Sequence, residues 1–137
     1  MDNKLEYIPG DLVMVKESAL QFAKDKIFKV ISSLSGGFLK VVMLNDSSTT
    51  YSISNNAIRP IPLTPEILEK NGWKDDGYDW YRLPTKRAYL YITKDITTLG
   101  EFLVCVGLDR HNLASINFVH QLQHILFGLN INHKMEV

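Results

Sequence analysis

Cysteine is nearly missing from this chain. Cys105 stands alone among 137 residues, so no internal disulfide can form and a reducing compartment suits the protein. An excess of one charge is missing too: fifteen basic and fifteen acidic side chains cancel, leaving no global field to gather nucleic acid or an anionic membrane. No apolar run is long enough to cross a bilayer. The first residues, Met1 to Glu6, lack the hydrophobic stretch of a signal peptide. A soluble, cytoplasmic protein that does not engage a membrane is therefore expected. Internal repeats and low-complexity segments are also absent. What remains is a chain with 45% hydrophobic residues, enough for one ordinary core or for two small units sharing an interface.

The clearest positive signal lies between Tyr51 and Trp73. Pro60 and Pro62 withhold backbone donors, so no central strand can run through residues 60–62. Thr64 can then cap a helix through its hydroxyl, with Pro65 at the first helical position, where its missing N–H costs nothing. Leu63 and Leu68 have the spacing of a hydrophobic staple, Glu66 suits the positive end of the helix dipole, and Gly72 provides the stop. This stretch marks a seam between two modules.

Upstream of the seam, short β-rich runs alternate with polar turns: Leu12 to Lys16, Ile27 to Ser33, Phe38 to Leu44, Tyr51 to Ile53 and Ala57 to Ile61. Residues Glu17 to Asp25 allow a folded loop or one helical turn. Ser35-Gly36-Gly37 suits a hairpin turn, and Asn45-Asp46-Ser47-Ser48 a polar one. Five short strands with a long first connection and a tight last turn resemble a small barrel of the Src-homology, Tudor or KOW type. That resemblance implies binding of a peptide, a modified side chain or a nucleic acid without choosing among them.

Downstream, Tyr78 to Leu83, Arg87 to Thr93 and Glu101 to Val106 read as three strands in a meander, the first pair joined through Pro84-Thr85-Lys86. From Ile116 to Phe127 the apolar period becomes helical: Phe118, Val119, Leu122, Ile125 and Leu126 share one face. Gly128 marks the expected end, and the tail from Asn132 to Val137 would fray or add an edge strand. The expected class is α+β, with a small β-barrel over residues 1–62 and a helix, three-stranded meander and helix over residues 63–137.

The segment from Pro60 to Trp73, taken with Val119-His120-Gln121-Leu122-Gln123, resembles two segments of small uncharacterised proteins from Bacteroidetes bacteria and their phages or mobile elements. The resemblance implies a source and brings no catalytic residue or ligand with it.

Candidate chemistry is sparse. His120 and His124, four apart on a helix, have a metal-holding spacing. Between them, however, stand Gln121, Leu122 and Gln123, without the glutamate of the zinc hydrolase motif. The helical phase sets both rings opposite the apolar stripe, on a wet or partner-facing surface, and nothing in the spacing of His111 and His133 brings them to complete a site. No metal or cofactor is expected. Asp75, Asp76 and Asp79 around Gly77 have the composition of a cation loop but not its ligand order, and read as a polar turn. Cys105, between Val104 and Val106, reads as a buried strand residue. The rings of Trp73, Tyr78, Trp80, Tyr89 and Tyr91, with Arg82 and Arg87 beside them, are the candidate binding residues. Tyr78 and Trp80 would form one row and Tyr89 and Tyr91 another. The same rings would equally build the core under the late helix, but five within nineteen residues exceed what one helix covers, so at least one is expected to be exposed. A noncatalytic protein-binding or adaptor role follows, through a protein partner or self-association. The alternatives are a small metal-dependent enzyme centred on His120 and His124, or a nucleic-acid module using Lys24, Lys26, Lys29 and Lys40 against a neutral total charge.

Overall fold

A computed structural model describes residues 7–16, 26–78, 80–85, 89–94 and 101–137. The loop expected over residues 17–25, with Lys24, lies outside the described residues, as do Asp79, Lys86 and Arg87. The chain divides into two units, Met1–Ile61 and Pro62–Val137.

The first unit is one antiparallel sheet made of β1 (Leu12–Val15), β2 (Phe28–Leu34), β3 (Phe38–Met43), β4 (Asp46–Ser54) and β5 (Ile58–Pro60). Gly36 and Gly37 carry φ of 77° and 80° in the β2–β3 turn, a conformation that glycine adopts without a Cβ penalty. The turn after β3 is shorter than expected. Strand β4 already begins at Asp46, whose carboxylate accepts from the amide and the hydroxyl of Ser48. A single 3₁₀ turn, Asn55–Ala57, links β4 to β5 and is capped by Ser54, whose hydroxyl accepts from the Asn56 amide.

The strand order is β4-β3-β2-β1-β5. Strands β4 and β5 stand at opposite ends, and no ladder joins them among the described residues. The expected small barrel is therefore met only as far as an open five-stranded sheet. Strand alternation puts Val13, Val15, Phe28, Val30, Leu39, Val41, Ile53 and Ile58 into one buried cluster with Tyr7. Burial, with the Asp11 carboxylate second, pushes the Tyr7 hydroxyl up to about 12.

The second unit opens with α1 (Pro65–Lys70). The Thr64 hydroxyl accepts from the Ile67 amide at 3.2 Å, and Leu63 and Leu68 are both buried. The helix ends in a Schellman pattern: Trp73 N–H donates to Leu68 O, and Gly72 N–H donates to Glu69 O, with Gly72 at φ 89°. A second antiparallel sheet follows, of β6 (Lys74–Gly77), β7 (Trp80–Pro84), β8 (Tyr89–Lys94), β9 (Phe102–Val106) and β10 (His111–Ile116), in the order β10-β9-β8-β7-β6. The expected three-stranded meander thus gains a strand at each edge. Both additions are largely exposed, so neither carries the apolar alternation by which a sequence announces a strand. One face of this sheet buries Leu90, Ile92 and Val104.

Helix α2 (Val119–Gly128) closes the unit. Its start is tied to that of α1 by a bridge between Pro62 and Phe118 and by Leu63 N–H donating to Asn117 O. The Gln121 side chain turns back to accept from the amides of Asn117 and Phe118. Gly128 is the last helical residue and not the stop. The stop is Asn130, at φ 58°, flanked by Asn130 N–H to Phe127 O and Ile131 N–H to Leu126 O. The tail neither frays nor forms a strand. Asn71 pairs with the Glu136 backbone through two 2.7 Å bonds, Gln123 donates to His133 O, and Met135 is buried.

Candidate functional site

Residues paired across an antiparallel ladder point to the same face. In the second sheet Trp80 pairs with Thr93, Arg82 with Tyr91, Pro84 with Tyr89, and Tyr91 with Cys105. Trp80, Arg82, Tyr89, Tyr91 and Cys105 therefore share the face opposite Leu90 and Ile92. On it the rings of Trp80 and Tyr91 meet edge to face, with centroids 6.3 Å apart and planes at 87°.

Into this right-angled corner comes Arg110. Its guanidinium carbon lies 4.6 Å from the Trp80 centroid and 4.5 Å from that of Tyr91, inside cation–π range of both. The Asp76 carboxylate closes the corner: Oδ2 is 3.2 Å from Arg110 Nη2, and Oδ1 is 3.6 Å from Arg82 Nε. All three charged side chains are about one-third exposed, so these ion pairs position the groups more than they stabilise the fold. Arg110 is delivered by the turn between β9 and β10, where Gly107 N–H donates to Tyr89 O and Arg110 N–H to Gly107 O. Its φ is 54°, a left-handed conformation uncommon for a residue with a Cβ.

The five expected rings part company. Trp80 and Tyr91 form the corner, Tyr91 being 7% exposed, and Tyr89 lies beside it on the same face at 54%. Tyr78 does not share a row with Trp80. It sits in the β6–β7 turn at φ 55° and is 99% exposed. Trp73 is buried, and with Leu83, Leu126, Ile131 and Met135 it lines a pocket of about 320 Å³. Sequence reasoning missed Arg110, and assigned Asp76 to a plain turn, because the strands that position them are the two edge strands it did not find. A glycine, an aspartate and an arginine directly after the Val104-Cys105-Val106 run were the available sign of a hairpin. Asp75 is used locally, accepting from the Gly77 amide at 2.8 Å.

Cys105 is buried and free, and its thiol is 3.2 Å from Asn112 Oδ1. Burial pushes the thiol up, against the pull of Arg110, which is the reverse of what a nucleophile needs.

The histidine pair requires a correction. His120 is not on a wet face: it is 1% exposed, stacked on Phe118 and touching the His124 ring edge to face. The buried stripe is Val119, His120, Leu122, Gln123 and Leu126, rotated away from Phe118 and Ile125. Burial, with His124 second, holds His120 down at about 4. His133 packs against Phe127, and His111 pairs with Asp109 at the exposed edge. Among the described residues no three histidine, cysteine, aspartate or glutamate side chains are grouped as metal ligands would be, and no helix is long and apolar enough to cross a membrane. Lys29 and Lys40 alternate with the buried cluster of the first sheet and so lie on its other face, where Leu12 and Val42 are themselves buried.

Compared with known proteins, the chain matches no family model and no curated protein.

Proposed function

We propose that this chain is a noncatalytic binding or adaptor protein that meets a protein partner, or a second copy of itself, through the Trp80, Tyr89 and Tyr91 face of its second sheet. The observation that carries this reading is the joining of a right-angled ring pair, an open tyrosine and three charged groups on one face. Aromatic rings and arginines are enriched among the residues that carry interface energy, the rings through large rigid area and arginine through its planar donor fork and its stacking on rings. A small barrel of the Src-homology, Tudor or KOW type in the first unit belongs to the same proposal, supported by the pairing of β5 with β1. A cytoplasmic setting and a phage or mobile-element source belong to the proposal and rest on the sequence.

The test is quantitative affinity capture from the native cell with wild type, Tyr89→Ser and Phe127→Ser, which removes an exposed ring elsewhere. A stoichiometric protein, or the chain's own dimer, should disappear with Tyr89→Ser and persist with Phe127→Ser at equal melting temperature. Capture unaffected by Tyr89→Ser would refute the assignment of this face. Stoichiometric zinc would favour the enzyme alternative, and nucleic acid released at higher salt the third.

A further inference from the structure

The corner between Trp80 and Tyr91 is built as cation-recognition sites are built, with two ring faces at right angles and a carboxylate. Arg110 fills it from within the chain. We propose that this corner is a recognition site for an arginine side chain of a protein partner, and that Arg110 is an internal plug which the incoming guanidinium replaces. The inference rests on the reading of this face as a binding surface.

Two observations favour a replaceable plug over a fixed brace. The Arg110 side chain is 37% exposed, and the carboxylate that pairs with it is 31% exposed. The carboxylate is also divided: Asp76 Oδ1 faces Arg82 while Oδ2 faces Arg110. Withdrawal of Arg110 would therefore leave Oδ2 without a cation while Arg82 still anchors the other oxygen. A guanidinium suits the vacancy better than an ammonium, because a planar cation can lie on one ring and donate in its own plane to the carboxylate. Tyr89, open on the same face, gives the chain that carries such an arginine a neighbouring contact.

The test is an NMR titration with N-acetyl-arginine amide at low salt, following the Trp80 indole N–H and the Tyr91 ring, with N-acetyl-lysine amide as comparison. Arg110→Gly is the first variant, since glycine accepts the positive φ. It should show saturable shifts at both rings, with arginine at least about fivefold tighter than lysine. Wild type should bind several-fold more weakly, because its plug competes at the high effective concentration of a tethered group. Adding Asp76→Asn should abolish the response. If Arg110→Gly does not fold, Arg110→Asn, whose short side chain empties the corner and which tolerates a positive φ, takes its place in the same titration. A folded variant with no saturable shift, or with equal response to both probes, overturns the proposal. The capture experiment is independent of this one, so a face that binds its partner while refusing free guanidinium would sink the plug alone.

Discussion

His120 brings a titratable ring into the interior of the second unit, and its chemistry there has a definite sign. Its folded value of about 4 lies below the ordinary 6.5. Between those values the unfolded chain binds a proton that the folded chain refuses, so stability is fully present above about pH 6.5 and falls as pH drops towards 4. The loss should be on the order of 2 to 3 kcal/mol. Denaturant melts of wild type and His120→Gln at pH 7, 5.5 and 4.5 check it: the difference between the two should shrink with acidity, and a difference independent of pH would contradict the burial described for this ring. Asn71 makes the second claim at this scale. Its amide supplies both bonds to the Glu136 backbone and a third to Ile67 O, so Asn71→Ala should cost about 1 to 2 kcal/mol. It should also raise amide exchange at Glu136 well before global unfolding, whereas unchanged exchange there would contradict the hold assigned to Asn71.

Helix α1 is the element whose origin in sequence is clearest, and its two determinants differ in size. Thr64→Ala removes one capping bond and should cost about 1 kcal/mol. Leu68→Ala empties a fully buried site and should cost about 2 to 5 kcal/mol. Urea midpoints of the two variants give the order, and a cap worth as much as the leucine would overturn this account of the helix. The elements that could be read beforehand are those that announce themselves locally, such as this cap and staple, the Gly36-Gly37 turn and the alternating runs of the first sheet. Strands β6 and β10 could not be read, because an edge strand takes its hydrogen bonds from a neighbour and needs little apolar pattern of its own. The same gap hid the site. Two rings of the corner stood out by composition, while the arginine and aspartate that complete it depend on those edges. His120 was misplaced for a related reason: a period of 3.6 fixes the spacing of a stripe, but its width and phase are set by what packs on it.

At the scale of the whole molecule, the described residues form two open sheets of opposite character. The first devotes its alternation to a buried cluster. The second buries one face and presents on the other a ring corner, an acid and two arginines. That second face is the centre of the functional account, and oxidative footprinting of the captured assembly against the free chain tests it most directly. Tyr89, open in the free chain, should be protected several-fold on assembly, while Phe38 on the first sheet, also exposed, should keep its reactivity. Protection of Phe38 with Tyr89 unchanged, or no assembly in which Tyr89 is covered, would contradict it.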